Sequence, residues 1–226
     1  MTDSTPHRDG ARTRERLVRA AMELFTTTGF LGATTPTIAE RAGVAEGTIY
    51  RHFKSKEELL NEIYRQALRW GIEALAASEL NRPRDASSRL QHFARRITET
   101  AALEPGLIRM LLSTVHGPFL DERSQVARRT FVTALAQVVA AGKSDGQIRS
   151  GPAELWAQVW MAVVTFAAER VASGEWAPES APVGLTIEAA WDAIATRPSL
   201  PSPGGVGGGA GRGGGTSEDR EVSKMG

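Results

Sequence analysis

The sequence contains no cysteine. That excludes disulfide bridges and thiolate-held zinc, and it fits a reducing compartment. Long apolar runs are missing too. A membrane helix needs roughly 18–20 consecutive apolar residues, and the most apolar stretch, residues 160–168, is far shorter. Residues 1–16 are polar and charged with no apolar segment, so no secretory leader is expected. Alternating β-branched runs of convincing length are also lacking, so no strands are expected. Without a strand, a phosphate loop of the strand–glycine–helix kind has no place to form, and the glycines of 204–215 read as low complexity. His116 stands near Asp121 and Glu122, and His92 near Glu99, but neither set has the i, i+4 histidine spacing of a metal site, and no nucleophile elbow occurs. Neither an enzyme, a metal site nor a bound cofactor is expected.

What is present is a 226-residue chain with 41% apolar residues, enough for one large domain or for a small one joined to a larger one. The net charge of +1 conceals an uneven distribution. Residues 1–56 hold nine Lys/Arg against six Asp/Glu, and residues 57–198 hold fifteen against seventeen. The basic excess therefore falls on the N-terminal quarter, an asymmetry that suits a surface facing phosphates.

The spacing predicts an all-α protein of about nine helices. Residues 1–10 read as a disordered arm. Leu17, Ala20, Ala21, Leu24 and Phe25 recur at i, i+3, i+4, i+7 and i+8, which makes one buried face of a helix over 11–28. Gly29 stands where a left-handed residue ends it. Thr34 is the expected N-cap of a second helix, with Thr35 and Pro36 in its first turn and Ile38, Ala39 and Ala42 facing inward. Gly43 makes a turn and a short third helix covers 45–52. Ser55 and Glu58 then form a capping box for a long helix to about residue 77. Amphipathic segments follow, broken near 81–83, 104–105, 117–118, 142–146, 151–152 and 174–182. Ten of the last 28 residues are glycine, so 198–226 reads as a disordered tail, either functional or a plain extension.

Two short helices joined by a glycine turn are a helix-turn-helix signature. A helix that reads DNA lies in a major groove about 12 Å wide, and small residues at its start let the backbone come close. Ala45, Glu46, Gly47 and Thr48 fit that position. Gly47 costs a helix about 1 kcal/mol relative to Ala, so either close approach to a strand or a packing contact must account for it. Thr48 can meet a thymine methyl or a phosphate oxygen. Tyr50 can donate to a phosphate, and Arg51 and His52 can do so or reach a base edge. Lys54 and Lys56 are phosphate ligands or solvated surface. Thr34 and Thr35, and the free amides before Lys56, can also hold an anion. Ile49 and Phe53 share the inward face and read as core.

With these residues in view, the segment 29–60 resembles the DNA-binding domain of the TetR family of bacterial transcriptional regulators. The matching positions are Gly29 and Phe30, Thr34, Ile38 and Ala39, Ala42 to Val44, Gly47 to Tyr50, His52 and Phe53, Ser55 to Glu57, and Leu59 and Leu60. The resemblance implies a helix-turn-helix domain over 11–56 and a helical ligand-binding and dimerisation domain over 57–197. It implies a cytoplasmic homodimer on a near-palindromic operator in double-stranded DNA, with Tyr50, His52 and Lys56 at or near phosphates. A repressor released by a small-molecule effector is expected. Ala45 stands where the family often has a capping Ser, and Pro36 and Thr37 where Arg and Asp are common. These departures leave room for a second reading, an all-helical ligand-binding or interaction protein that no longer reads DNA.

The C-terminal half says less. Residues 152–173 form an apolar helix with two adjoining faces, Leu155, Val159, Ala162, Val163 and Phe166 on one and Trp156, Trp160, Val164 and Ala167 on the other. A further helix covers 186–197. Such wide faces need a partner besides the domain core, and the resemblance implies that the last two helices pair with their copies. Candidate ligand-binding residues are Met110, Ser113, His116, Phe131 and Trp160, with Ile97, Arg109, Leu111, Val115, Leu135, Gln137 and Gln158 near them; each apolar one reads equally as plain core. A small apolar or aromatic molecule is the expected ligand class.

Overall fold

Apolar residues three and four apart fold α1 (Thr5–Thr27) onto the rest of the chain along Leu17, Ala20, Ala21 and Phe25, all buried. Leu24 is only partly covered. The computed structural model describes residues 5–80, 85–113 and 116–196. Their regular structure continues with α2 (Gly29–Gly32), α3 (Thr35–Ala42), α4 (Ile49–His52), α5 (Lys56–Leu80), α6 (Ala86–Leu103), α7 (Pro105–Leu112), α8 (Glu122–Ser144), α9 (Ala153–Ala172) and α10 (Ala181–Asp192). Short 3-10 turns cover Glu46–Thr48 and Gly117–Phe119. The architecture is all-α; the sole extended pairing among the described residues is an antiparallel bridge between Ile148 and Ala195.

Several boundaries differ from expectation. α1 begins at Thr5, which shortens the expected N-terminal arm. Pro6 falls in the first turn, where its missing N–H costs nothing, and Gly10 weakens the helix by only about 1 kcal/mol. Residues 1–4, the expected break at 81–83 and the tail 198–226 lie outside the described residues. α8 ends at Ser144, inside the expected break at 142–146, and Gly146 just beyond it has φ +71°. Gly142 is there for space: an added Cβ would lie 2.5 Å from the Ala86 side chain. α10 starts at Ala181 rather than Thr186, since Pro182 sits in its first turn and opens it early.

The core runs from the N-terminal helices into the larger part without interruption. α5 packs on α1 as well as on α6, α7 and α8. Phe93 lies between Phe131 (6.3 Å, edge-on) and Trp160 (6.1 Å, nearly parallel). At the other end, Phe30 of α2 meets Phe119 with ring centroids 4.4 Å apart. Buried Asn61 on α5 ties the same region together. Its amide donates to Phe119 O at 3.0 Å, and its carbonyl accepts from Asp121 N at 2.9 Å. Leu155 and Phe166 on α9 and Leu185 on α10 remain exposed.

Candidate nucleic-acid interface and ligand cleft

The candidate interface starts at a cap. Thr34 has extended backbone and accepts from Thr37 N, while Thr37 Oγ1 accepts from Thr34 N at 3.0 Å. Thr37, a departure from the family pattern, thus completes a reciprocal box at the start of α3. Gly43 ends α3 with φ +65°, a conformation in which a Cβ is strained. Arg16 Nη2 donates to Gly43 O at 2.7 Å and fastens the turn to α1.

The chain then passes through extended Ala45 into the 3-10 turn and α4. Ile49 and Phe53 are buried and anchor the short helix, as expected. Ala45, Glu46, Gly47, Tyr50 and Arg51 are exposed on the opposite side, with Thr48 and His52 partly covered. Thr35 joins this surface from α3. Its hydroxyl lies 3.4 Å from both Glu46 Oε1 and Tyr50 OH. The fold therefore gathers Thr35, Glu46 and Tyr50 into one polar group beside Gly47, next to which an added Cβ would meet nothing within 4 Å.

Lys56 behaves differently from a simple phosphate ligand. Its ammonium donates to Phe30 O and Ala33 O, each at 2.8 Å, and stands 4.3 Å from the Phe30 ring centroid. Two of its three protons are thus committed to the carbonyl end of α2. The start of α5 is also a poor anion site. Glu57 and Glu58 occupy its first turn, and the Glu58 carboxylate accepts from Lys54 N. Lys54 itself is exposed.

Two cavities occur near the expected ligand residues. The larger, about 900 Å³, is an open cleft between α5, α8 and α9, walled by Tyr64, Leu68, Leu111, Phe131 and Met161 with Arg128, Arg129 and Gln158 as polar groups. The smaller, about 420 Å³, lies where Phe25, Thr26 and Gly29 meet Arg109, His116, Thr165 and Glu169. Ser113 touches both. Of the expected ligand residues, Phe131 lines the larger cavity and His116 the smaller. Met110 and Trp160 line neither and are wholly buried. Trp160 is buried against Phe93 in the core. Ile97 and Leu135 are core too, and Val115 lies outside the described residues. Tyr64, Arg128 and Met161 escaped the sequence reading because they belong to three different helices, and no local spacing links them.

The electrostatics of the two cavities differ. Burial lowers the His116 pKa, so its ring is neutral near pH 7, and its Nδ1 has no hydrogen-bond partner among the described residues. Burial raises the Tyr64 pKa, with Arg128 pulling weakly the other way. Arg109 pairs with Glu169 at 3.1 Å across the smaller cavity. Among the described residues no group of three or more His, Cys, Asp or Glu is placed to hold a metal, and no helix is long and apolar enough to cross a membrane.

Residues 17–63 match the family model described as bacterial regulatory proteins, tetR family. The HTH-type transcriptional repressor KstR2 of Mycolicibacterium smegmatis is 37% identical over 70 residues, 31% of this chain and 34% of that protein. The HTH-type transcriptional regulator TcmR of Streptomyces glaucescens is 44% identical over 64 residues, 26% of this chain and 28% of that protein. The chain thus spans about a third of the length of these curated relatives. Among solved structures, a TetR family transcription regulator from Marinobacter aquaeolei aligns with a TM-score of 0.70 at 22% identity, over 84% of this chain and all of that one. A bacterial regulatory protein in the tetR family from Rhodococcus aligns at 0.63 and 21%, over 82% and 98%. At these identities the structural matches speak for the fold.

Proposed function

We propose that the chain, whose residues 17–63 match the tetR family model, is a homodimeric transcriptional repressor released from its operator by a small molecule. The carrying observation is the exposed set Ala45, Glu46, Gly47, Tyr50 and Arg51, held on buried Ile49 and Phe53 and joined by Thr35. Its side chains are of the size and polarity that a major groove and its flanking phosphates accept. Thr34, Thr35, Thr48, Tyr50, Arg51, His52 and Lys54 serve the strands or base edges. Lys56 orders the motif from behind and offers at most its third proton. On this reading the protein is not an enzyme and works in the cytoplasm.

Exposed Leu155, Phe166 and Leu185 on α9 and α10 support dimerisation through those helices. The cleft beside α5 supports an apolar or aromatic effector, and Arg128 and Arg129 favour an acidic group on it. The effector acts by shifting α5, which begins directly after the motif, so that the two recognition elements no longer match one turn of DNA, about 34–36 Å. Ligand and operator then oppose each other with equal coupling in both directions.

A mobility shift on the DNA upstream of the chain's own gene tests the proposal. Specific binding that weakens steeply with salt is expected, because several phosphates are neutralised. A folded T35A/Y50A double variant that keeps full operator affinity would contradict the assignment.

A further inference from the structure

Within the segment 45–48, Ala45 and Gly47 present no polar side chain, which leaves exposed Glu46 and partly covered Thr48 as the polar side chains. Glu46 is exposed and opens the 3-10 turn. Among the described residues no Lys or Arg pairs with it, and its single side-chain partner is the Thr35 hydroxyl at 3.4 Å. Thr35 in turn reaches Tyr50 OH, also at 3.4 Å. An uncompensated carboxylate thus sits where the segment faces a duplex, beside two hydroxyls suited to phosphate.

A carboxylate only accepts hydrogen bonds. In the major groove guanine shows N7 and O6, and thymine shows O4 and a methyl, so both offer it acceptors or carbon. Adenine offers its N6 amino group, but with the N7 acceptor alongside. Cytosine offers its N4 amino group beside a C–H edge. We propose that Glu46 is a specificity-determining residue of this motif and reads a cytosine in each operator half-site. The inference rests on the reading that the chain binds duplex DNA through this helix-turn-helix. The Thr35 and Tyr50 hydroxyls turn to a phosphate on binding, and the released carboxylate meets the amino group. At guanine or thymine the negative charge goes unpaired in a negative field, and at adenine the N7 acceptor opposes it, so selectivity comes from rejection as much as attraction.

Selection from a randomised duplex pool with full-length wild type, E46A and E46Q tests this. Wild type is expected to recover one near-invariant C·G pair per half-site, and replacing that pair lowers its affinity about tenfold or more. E46A loses the preference at that pair alone and binds the substituted sites at least as well as wild type does. E46Q moves the preference toward adenine, whose N6 and N7 suit an amide. If all three proteins recover the same motif, the assignment to Glu46 is overturned while DNA binding stands. If folded wild type recovers no motif, the DNA-binding reading falls with it.

Discussion

The Arg16 guanidinium on α1 donates to the Gly43 carbonyl oxygen at 2.7 Å, so the turn between the two helices of the motif is held from outside the motif. The same guanidinium nitrogen would stand 2.6 Å from a Cβ added at Gly43, whose φ is +65°. Turn and clamp therefore share one small space.

Gly43→Ala is expected to lower stability by about 1–2 kcal/mol through left-handed strain, and to move Arg16 off the carbonyl. Urea unfolding measures the first effect. Gly43→Asn should cost less, because Asn tolerates this backbone region better than Ala.

Lys56→Met separates a structural role from a phosphate contact. Loss of two charge-assisted bonds to α2 carbonyls predicts a stability loss of roughly 2 kcal/mol. The salt dependence of DNA binding should change little. A simple phosphate ligand would show the reverse, with unchanged stability and a slope of log affinity against log salt reduced by about one.

Tyr50→Phe removes a hydroxyl whose one recorded neighbour is Thr35, on an exposed ring. The melting temperature should stay within error of wild type. Operator affinity should drop about tenfold to a hundredfold, as for one bond to a charged oxygen. Equal losses on operator and random DNA would mark Tyr50 as a strand contact without base preference.

Acid stability should depend on the ion pairs around α5. For Glu62, burial alone would raise the pKa, but Gln66, Arg14, Arg65 and Arg69 together bring it below the ordinary value. For Asp121, burial is likewise outweighed, by Ser124 and Arg65. Both groups hold fewer protons folded than unfolded, so their contribution is complete above the ordinary carboxylate range. It is lost as pH falls through the folded values. E62Q and D121N should each flatten the acid limb of a plot of unfolding midpoint against pH. His116 acts in an earlier window. Its folded pKa is also depressed, here below 6.5, so stability begins to fall as pH drops past that value. H116Q should remove that first step and leave the carboxylate limb intact.

The helices and the motif were legible in the sequence because their signals are local. Gly29 and Gly43, both with positive φ, and Thr34 at its cap stand where the spacing placed them. The break at 142–146 was legible as well, but the packing role of Gly142 within it was not, because that role depends on Ala86, far away in sequence. Lys56 was expected as a phosphate ligand or solvated surface, and the sequence gives no sign of the carbonyls of Phe30 and Ala33 that it meets. The cleft eluded local reading for the same reason. Apolar residues on α7 and α9 alternate between core and wall, and only packing separates Trp160 from Met161.

The contact between Phe30 and Phe119 has a mechanical meaning. Gly117 and Leu120, on either side of Phe119, belong to the wall of the larger cleft. Phe30 belongs to a four-residue helix whose terminal carbonyls grip Lys56. The wall of the cleft and the foot of the motif are thus joined by two rings and a single turn of helix, with Lys56 closing the chain of contacts.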